Sequence, residues 1–287
     1  MGAAAYASSH HIGVGFGSSS YIKGVPYKFD ANGNVINKDE AHLYGTLIGH
    51  EMGHAMDIGD RLYPETSNNL MAAITGTMLN ENSPYFDSFK KVYEKVTSNT
   101  IGLSTDRSVV LNMLWQPYLA YEDNITYEML FTDFDANLAD DSYFAKLNRA
   151  YREMTPEERA NGDRDQWLIR LTSKVVGKNL TAFYEAHGII ANDTTLAYVA
   201  QFPEETRKIQ YINDEARRQR IAGTADMAAG TTLSAAFEGG ITDGSYVNSK
   251  EVKINLSVNQ SEDNILGYEI YRNGEPCGFI EDRKSTR

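Results

Sequence analysis

The sequence predicts an α+β protein, with a large helical region between short strands at both ends of the chain. Residues 3–36 alternate short apolar runs with Gly and Ser, a texture typical of short strands and turns. From 66 to 222 apolar residues recur at helical spacing. After Gly223 the pattern changes to short alternating segments separated by Gly-Gly, Asp-Gly and Asn-Gly turns.

The first strands are candidates for the edge of a substrate cleft. Residues 12–17 form a glycine-rich strand in which Gly13 and Gly15 would let a substrate backbone come close. Residues 27–36 predict a hairpin that turns at Asn32-Gly33.

The same hairpin segment resembles the start of a calcium loop, with Asp30, Asn32 and Asn34 in alternate positions. However, Val35 stands where that loop has Gly and Ala41 stands where it has Glu. The hairpin is therefore favoured over a calcium site.

The next element is a helix that carries a metal-binding pattern, His50-Glu51-Met52-Gly53-His54, followed by Glu65. Residues four apart share one face of a helix, so His50 and His54 can direct imidazole nitrogens at one ion. Glu51 points off that face and can act on a water held by the same ion. With Glu65 as a third ligand, the pattern is that of a catalytic zinc, which keeps one position open.

The ends of this helix-turn-helix are also predicted. Gly59 can end the first helix in a left-handed turn, and Pro64 suits the first turn of a second helix that runs through Ile74. Two helices that share the ligands form the arrangement of gluzincin metallopeptidases.

The remaining helical region continues with the same periodicity. Thr155 can cap a helix that starts at Pro156, and Trp115 and Trp167 lie at spacings that favour core packing. The predicted helices span 66–80, 84–97, 106–121, 125–137, 140–153, 164–176, 178–187, 193–201 and 203–221.

The C-terminal region predicts four short strands, at 231–238, 251–258, 266–272 and 279–282. They resemble part of an immunoglobulin or fibronectin-III-like sandwich, which needs about seven strands. We therefore predict a catalytic domain over 1–223 and the start of a β-sandwich over 224–287, and we expect both ends to be cuts within a longer protein.

Composition excludes several classes of partner. The net charge of −12 and a pI near 5.0 argue against nucleic-acid binding. No apolar run is long enough to insert into a membrane, and no signal peptide is visible in this fragment. The single cysteine, Cys277, allows no intramolecular disulfide and is expected to be half-buried on a strand.

The motif and its continuation, Glu65-Thr66-Ser67-Asn68-Asn69, resemble the enhancin-like, mucin-degrading zinc metallopeptidases, whose pattern is HExGH and then E-T-x-N-N. The resemblance covers roughly residues 10 to 222. It also includes 180–189, although His187 stands where that family's late helix would have Trp. It implies a zincin-like domain made of N-terminal strands, an active-site helix and a large helical subdomain.

The resemblance also implies a function: a secreted or cell-surface bacterial endopeptidase that hydrolyses O-glycosylated, mucin-like proteins with one Zn²⁺ per chain. We expect a monomer in which Glu51 is the general base and His50, His54 and Glu65 are the ligands.

Several further residues are candidates for the site. Asn69 and Asp57 are candidates for orienting a ligand. His187 is a candidate cleft residue, and His187 and Tyr63 are candidates for stabilising an oxyanion.

Two alternatives remain open from the sequence. One is a general gluzincin peptidase without glycan dependence; the absence of a Gly-x-Met-Glu-Asn string argues against an aminopeptidase. The other is a non-catalytic glycan-binding or adhesion module. Glu51 argues against that module, because binding alone has no use for a general base.

Overall fold

The computed structural model describes residues 5–7, 11–14, 28, 30–31, 36–37, 46–79, 89–123, 141–224, 233–237, 254–258 and 265–281. Within these ranges the protein has the predicted α+β architecture, mostly helical with short antiparallel strand pairs. The predicted helix at 125–137, the Asn32-Gly33 turn and Gly15 lie outside the described residues.

The described helices begin and end as follows. They are α1 (Thr46–Met56), α2 (Asn69–Leu79), α3 (Phe89–Val96), α4 (Arg107–Tyr121), α5 (Tyr143–Arg152), α6 (Pro156–Arg159), α7 (Arg164–Val176), α8 (Thr181–Ala186), α9 (Asp193–Val199) and α10 (Asp214–Ile221), with 3-10 turns at Gly59–Arg61 and Ile209–Tyr211.

Strands β1 (Ala5–Ala7) and β2 (Ile12–Val14) pair antiparallel, with Tyr6 opposite Gly13, and both contact α1. Further along, the Ile36 amide donates to the Lys28 carbonyl at 2.9 Å, the pairing expected of the predicted 27–36 hairpin.

The hydrophobic core lies among the helices that follow α1. Helix α4 runs through its centre, and Trp115 on this helix is fully buried against Tyr118 and Phe144. Trp167 on α7 packs at the edge of the same cluster, as its spacing predicted. Helix α2 contacts α4, so the core supports one of the two segments that carry the metal-binding pattern.

Local sequence signals explain several helix ends. The Thr155 hydroxyl accepts from the Glu158 amide, which confirms Thr155 as the predicted cap of α6, and the Glu158 carboxylate accepts from the Thr155 amide, which completes a capping box. Asp163 caps α7, and Gly177 ends it in the left-handed conformation with φ of 67°.

Three helix predictions are corrected by the structure. Gly59 is not left-handed but begins a 3-10 turn, and Pro64 lies in a turn, so that α2 begins at Asn69. Residues 203–213 are not α-helical. The Asn213 side chain accepts from the Ala216 amide at 2.9 Å, so α10 starts after Asn213.

The four C-terminal strands are present as two pairs, β3 (Leu233–Phe237) with β4 (Ile254–Val258) and β5 (Gly267–Arg272) with β6 (Glu275–Glu281). Asn273 and Gly274, with φ of 57° and 87°, form the predicted two-residue turn between β5 and β6.

The β5–β6 hairpin packs against the helical region. The Phe279 ring stacks on Tyr211 with ring centroids 4.2 Å apart, and the Tyr211 hydroxyl donates to Glu269 at 2.6 Å. The division into two domains stays a prediction. The β5–β6 hairpin of the predicted second domain contacts the helical region directly.

Two sequence expectations concern exposure. Cys277 is exposed on β6, and not half-buried; it lies at an irregularity of the hairpin, between the pairs Tyr271–Pro276 and Ile270–Gly278. Among the described residues, no helix has both the length and the apolar character that a bilayer crossing requires.

Candidate metal centre

Helix α1 positions the two histidines of the HEMGH pattern. His50 and His54 lie one helical turn apart, with ring centroids 4.8 Å apart and ring planes nearly perpendicular. Both side chains are partly exposed, whereas Glu51 between them is only 5% exposed. The helix therefore presents two imidazoles on one face, with a buried carboxyl group next to them in the chain.

The turn 64–68 brings Glu65 to this face. Glu65 has a φ of 57°, the left-handed region that costs a residue with a side chain about 1–3 kcal/mol. The turn is held by Tyr63, whose carbonyl accepts from the amides of Thr66 and Ser67 at 2.9 and 3.0 Å. The Tyr63 amide donates to the Ser67 hydroxyl at 3.0 Å. These bonds fix the backbone that carries the Glu65 carboxylate.

Two glycines of α1 allow the second segment to come close. A Cβ on Gly53 would lie 1.8 Å from the Asn68 carbonyl oxygen, and one on Gly49 would lie 2.8 Å from the Cα of Ala72. Any side chain at position 53 would push the turn 64–68 away from α1. Glycine inside the HEMGH pattern is thus explained by close contact between two backbones.

The three predicted ligands converge. The His50 Nε2 atom lies 3.3 Å from Glu65 Oε2, and His54 Nε2 lies 3.5 Å from Glu65 Oε1. All three ligand atoms lie within 4.8 Å of one another. For tetrahedral zinc with ligand distances of about 2.0–2.1 Å, neighbouring ligand atoms should lie about 3.3 Å apart. The donor set and its spacing thus fit a metal ion of this kind.

Asn69 ties two of the ligands together. Its side-chain oxygen accepts from His50 Nδ1 at 2.8 Å, and its amide nitrogen donates to the Glu65 carbonyl at 3.2 Å. A proton on Nδ1 leaves Nε2 unprotonated, as a metal ligand must be. These contacts are those expected of the ligand-orienting role predicted for Asn69.

The sequence assigned no role to Asn68, which also touches the ligands. Its side-chain nitrogen lies 3.0 and 3.2 Å from the two ring nitrogens of His50 and 3.1 Å from His54 Nε2. The pair of asparagines after Glu65-Thr66-Ser67 was the sequence signal that could have indicated this contact of Asn68 with the two histidines.

Asp57 supports the turn 64–68. One of its carboxylate oxygens accepts from the Ser67 hydroxyl, and the other lies 3.4 Å from Arg61 Nη2. Arg61 in turn donates to Asn148 on α5 at 2.7 Å. Asp57 therefore acts on Glu65 through the turn, since its partners are Ser67 and Arg61.

Tyr63 and His187 are placed differently from what the sequence predicted. The buried Tyr63 hydroxyl donates to Asp165 at 2.7 Å. His187 is 1% exposed and donates from Nε2 to Gln116 at 3.0 Å, and burial, followed by the Lys95 charge, lowers its pKa to about 3. A neutral ring enclosed by the helical core does not face a substrate cleft.

Gly13 lies on the β1–β2 hairpin beside α1, in the region where the cleft edge was predicted. A Cβ there would lie 2.2 Å from the Tyr6 ring. In this structure the space left by the missing Gly13 side chain is occupied by the Tyr6 ring. Pairing of this strand with a substrate stays a prediction.

The chain matches the model of a known protein family. The model of peptidase M60, enhancin and enhancin-like, matches residues 3–188. Comparison with curated proteins gives no match.

Several solved structures from Clostridium perfringens have a similar fold. The M60 catalytic domain of ZmpC, in complex with the sialyl T antigen, has a TM-score of 0.62 at 22% identity, over 98% of this chain and 48% of that one. The M60 domain of ZmpB with its CBM51-1 and CBM51-2 domains has a TM-score of 0.60 at 23% identity, over 98% of this chain and 26% of that one.

A further structure, the ZmpB metallopeptidase, has a TM-score of 0.52 at 24% identity and covers 82% of this chain and 43% of that one. The chain thus spans about half or less of the proteins whose structures it matches.

Proposed function

The chain belongs to the peptidase M60, enhancin and enhancin-like family, and from this premise we propose that it is a zinc-dependent endopeptidase that cleaves O-glycosylated, mucin-like proteins. The observation that carries the proposal is the convergence of His50, His54 and Glu65 within 4.8 Å, on the helix that also holds Glu51.

Zinc is the ion that this donor set favours. Two imidazole nitrogens and one carboxylate oxygen are the ligands of many catalytic zinc sites, which keep a fourth position open for water or substrate. The exposed fraction of the Glu65 side chain, 47%, leaves the site accessible to a substrate. When bound here, zinc would lower the pKa of a water molecule and polarise the scissile carbonyl.

Glu51 supplies the proton transfers. Its carboxylate takes a proton from the attacking water as general base and then donates that proton to the leaving amine. Glu51 is 5% exposed, and its place between the two proposed ligands on α1 supports this role. Asn69 keeps His50 in the orientation that the site requires.

The substrate class rests on the family and on its solved members. One M60 catalytic domain was solved in complex with the sialyl T antigen, and another is joined to CBM51 domains. We extend this glycan recognition to the present chain and expect it to act outside the cell or on its surface, as a monomer. A glycan requirement would mean that binding energy from the sugar positions the peptide for hydrolysis.

The experiment compares one O-glycopeptide with its unglycosylated twin, followed by mass spectrometry of the products, with and without chelator. We expect chelator-sensitive cleavage of the glycopeptide with a much larger kcat/KM. Equal rates on both peptides would indicate a general gluzincin peptidase. Glycan binding without cleavage of either peptide would indicate a non-catalytic module.

The zinc assignment has its own test. Glu65→Ala removes one of three ligands and should lower the zinc content of the purified protein sharply. Glu157→Ala removes an exposed carboxylate on α6 and serves as a control. Full zinc content in Glu65→Ala would remove Glu65 from the site.

A further inference from the structure

The Asn68 side chain lies between the two histidine ligands and is almost completely enclosed. The residue is 1% exposed, and its amide nitrogen lies within 3.2 Å of ring nitrogens on both His50 and His54. The same nitrogen lies 3.4 Å from the His50 carbonyl oxygen. Since a carbonyl can only accept, this contact favours the orientation in which the amide nitrogen faces the ligands, and the Asn68 side-chain oxygen is then buried without a hydrogen-bond partner.

The contact with His50 is made to the face of its ring. The amide nitrogen is nearly the same distance from Nδ1 and Nε2, at 3.0 and 3.2 Å. In the plane of the ring, a point this close to both nitrogens would collide with the Cε1 atom between them. Asn68 therefore contacts the ring of His50 from one side of its plane, and the Nε2 atom of the same ring lies 3.3 Å from Glu65 Oε2.

The His54 Nε2 atom has two polar contacts that favour opposite proton positions: the Glu65 carboxylate oxygen at 3.5 Å can only accept, and the closer Asn68 amide nitrogen at 3.1 Å donates. An amide nitrogen donates and does not accept, so the His54 Nε2 atom, at 3.1 Å, accepts the hydrogen bond from Asn68. In a neutral imidazole the proton is then on Nδ1. Asn69 imposes the same arrangement on His50 from the opposite nitrogen, because its side-chain oxygen accepts from His50 Nδ1.

We propose that Asn68 is a positioning residue that holds His54 in the Nδ1–H tautomer before the metal binds. Each of the two neighbouring asparagines thus acts on a different histidine: Asn69 holds the tautomer of His50, and Asn68 holds that of His54. A bound ion would need the Nε2 lone pair of His54 that Asn68 contacts here, and the His50 carbonyl, 3.4 Å from the Asn68 amide nitrogen, would still be available to accept from it. The inference rests on the proposed metal site.

The experiment is ¹⁵N NMR of the histidine side chains in the full chain after chelation. In the parent protein we expect both His50 and His54 as Nδ1–H tautomers. Asn68→Ala should release His54 to a mixture of tautomers and leave His50 unchanged, and Asn69→Ala should do the reverse. Asn68→Asp keeps the shape but turns a donor into an acceptor, so it should leave His54 protonated on Nε2.

A second measurement follows zinc binding by competition with a chromophoric chelator. Loss of a group that orients a metal ligand typically weakens affinity about 10–100-fold, and we expect this range for Asn68→Ala. Asn112→Asp is the matched control. It makes the same amide-to-acid change at a buried residue of α4, where the side chain donates to the Ser108 carbonyl. It should change neither tautomer.

The outcomes separate the two proposals. An unchanged His54 tautomer in both Asn68 variants, in a parent chain that binds zinc and cleaves glycopeptide, would overturn this inference alone. The same would follow if Asn112→Asp altered His54 as much as Asn68→Asp. If the Asn68 and Asn69 variants change the histidine tautomers as expected but the parent chain takes up no zinc, the proposed function alone would be overturned.

Discussion

The metal centre and the helical core are both densely packed, but they reach that density in different ways. Around the metal centre, two backbones meet at Gly53, and the buried side chains of the adjoining turn, Thr66, Ser67 and Asn68, are polar and hydrogen-bonded. In the core, large apolar side chains such as Trp115 on α4 and Leu168 on α7 belong to one buried cluster. Substitutions should therefore affect function most at the metal centre and stability most in the core.

The sharpest form of this contrast is Glu51→Gln. We expect the variant to fold and to bind zinc, because the amide keeps the shape of the carboxylate. It should lose about 10²–10⁴-fold in kcat/KM, because it cannot accept the proton from water. Thermal unfolding and metal analysis would establish that the fold and the ion are retained. Activity near that of the parent would remove Glu51 from the catalytic role.

The opposite effect is expected for Trp115→Ala. Removal of this fully buried ring should cost about 3–5 kcal/mol in the free energy of unfolding, because a cavity remains in the core. Zinc affinity of the folded fraction should be unchanged. Trp167→Ala is the matched control and should cost less, since Trp167 is only partly buried at the edge of the core. Urea unfolding of both variants tests the prediction, and equal losses would contradict it.

Gly53→Ala tests whether stability and zinc binding can be changed independently at the place where the backbones of α1 and the turn 64–68 touch. A methyl group 1.8 Å from the Asn68 carbonyl must displace the turn 64–68. We expect a loss of about 1–3 kcal/mol in unfolding free energy together with weaker zinc binding. Gly59→Ala is the control, since a Cβ there meets nothing within 4 Å. A Gly53→Ala protein that is destabilised but binds zinc normally would separate packing from ligand spacing.

His187 provides a prediction about pH in the core. Burial lowers its pKa to about 3, so the folded protein keeps it neutral while the unfolded chain takes up a proton below about pH 6.5. Unfolding is therefore favoured as the pH falls, by about 1.4 kcal/mol per pH unit from this residue. His187→Gln should reduce the loss of stability between pH 7 and pH 5, measured by urea unfolding. An identical pH dependence in both proteins would contradict the assignment.

The smallest effect is expected where the β5–β6 hairpin meets the helices. Lys208 contacts Glu269 but is half exposed, so Lys208→Met should cost less than about 1 kcal/mol. Phe279→Ala should cost more, because its ring stacks on Tyr211. Urea unfolding of the two variants would test this order, and a larger loss in Lys208→Met would indicate that charge, and not ring packing, fastens the hairpin.

The ligands could be predicted from the sequence because their chemistry is local. The i and i+4 spacing of His50 and His54 fixes both side chains on one helix face, and the Glu65 string follows within a short turn. The Thr155 cap and the Asn273-Gly274 turn are equally local, and both were predicted correctly. Patterns that depend on a few neighbouring residues survive in the folded protein.

The features that were missed depend on contacts between distant segments. Helical periodicity extended the helix back to residue 66. In the structure the Ser67 side chain bonds to Tyr63 and Asp57, which holds 64–68 as a turn and places Glu65 in the left-handed region. His187 was a candidate cleft residue because it stands where the family's late helix would have Trp, but Gln116, 71 residues away, provides the partner that makes its burial possible.

The contact at Gly53 also bears on how such a site can persist while sequences diverge. Because main-chain atoms set the closest contact between the two segments, the exposed side chains of α1 that make no contact with the turn are free to change over evolutionary time. The structures compared with this chain share its fold at only 22–24% identity. In a deep mutational scan we therefore expect near-complete intolerance at position 53, beside broad tolerance at the exposed positions Ala55 and Met56 on the same helix.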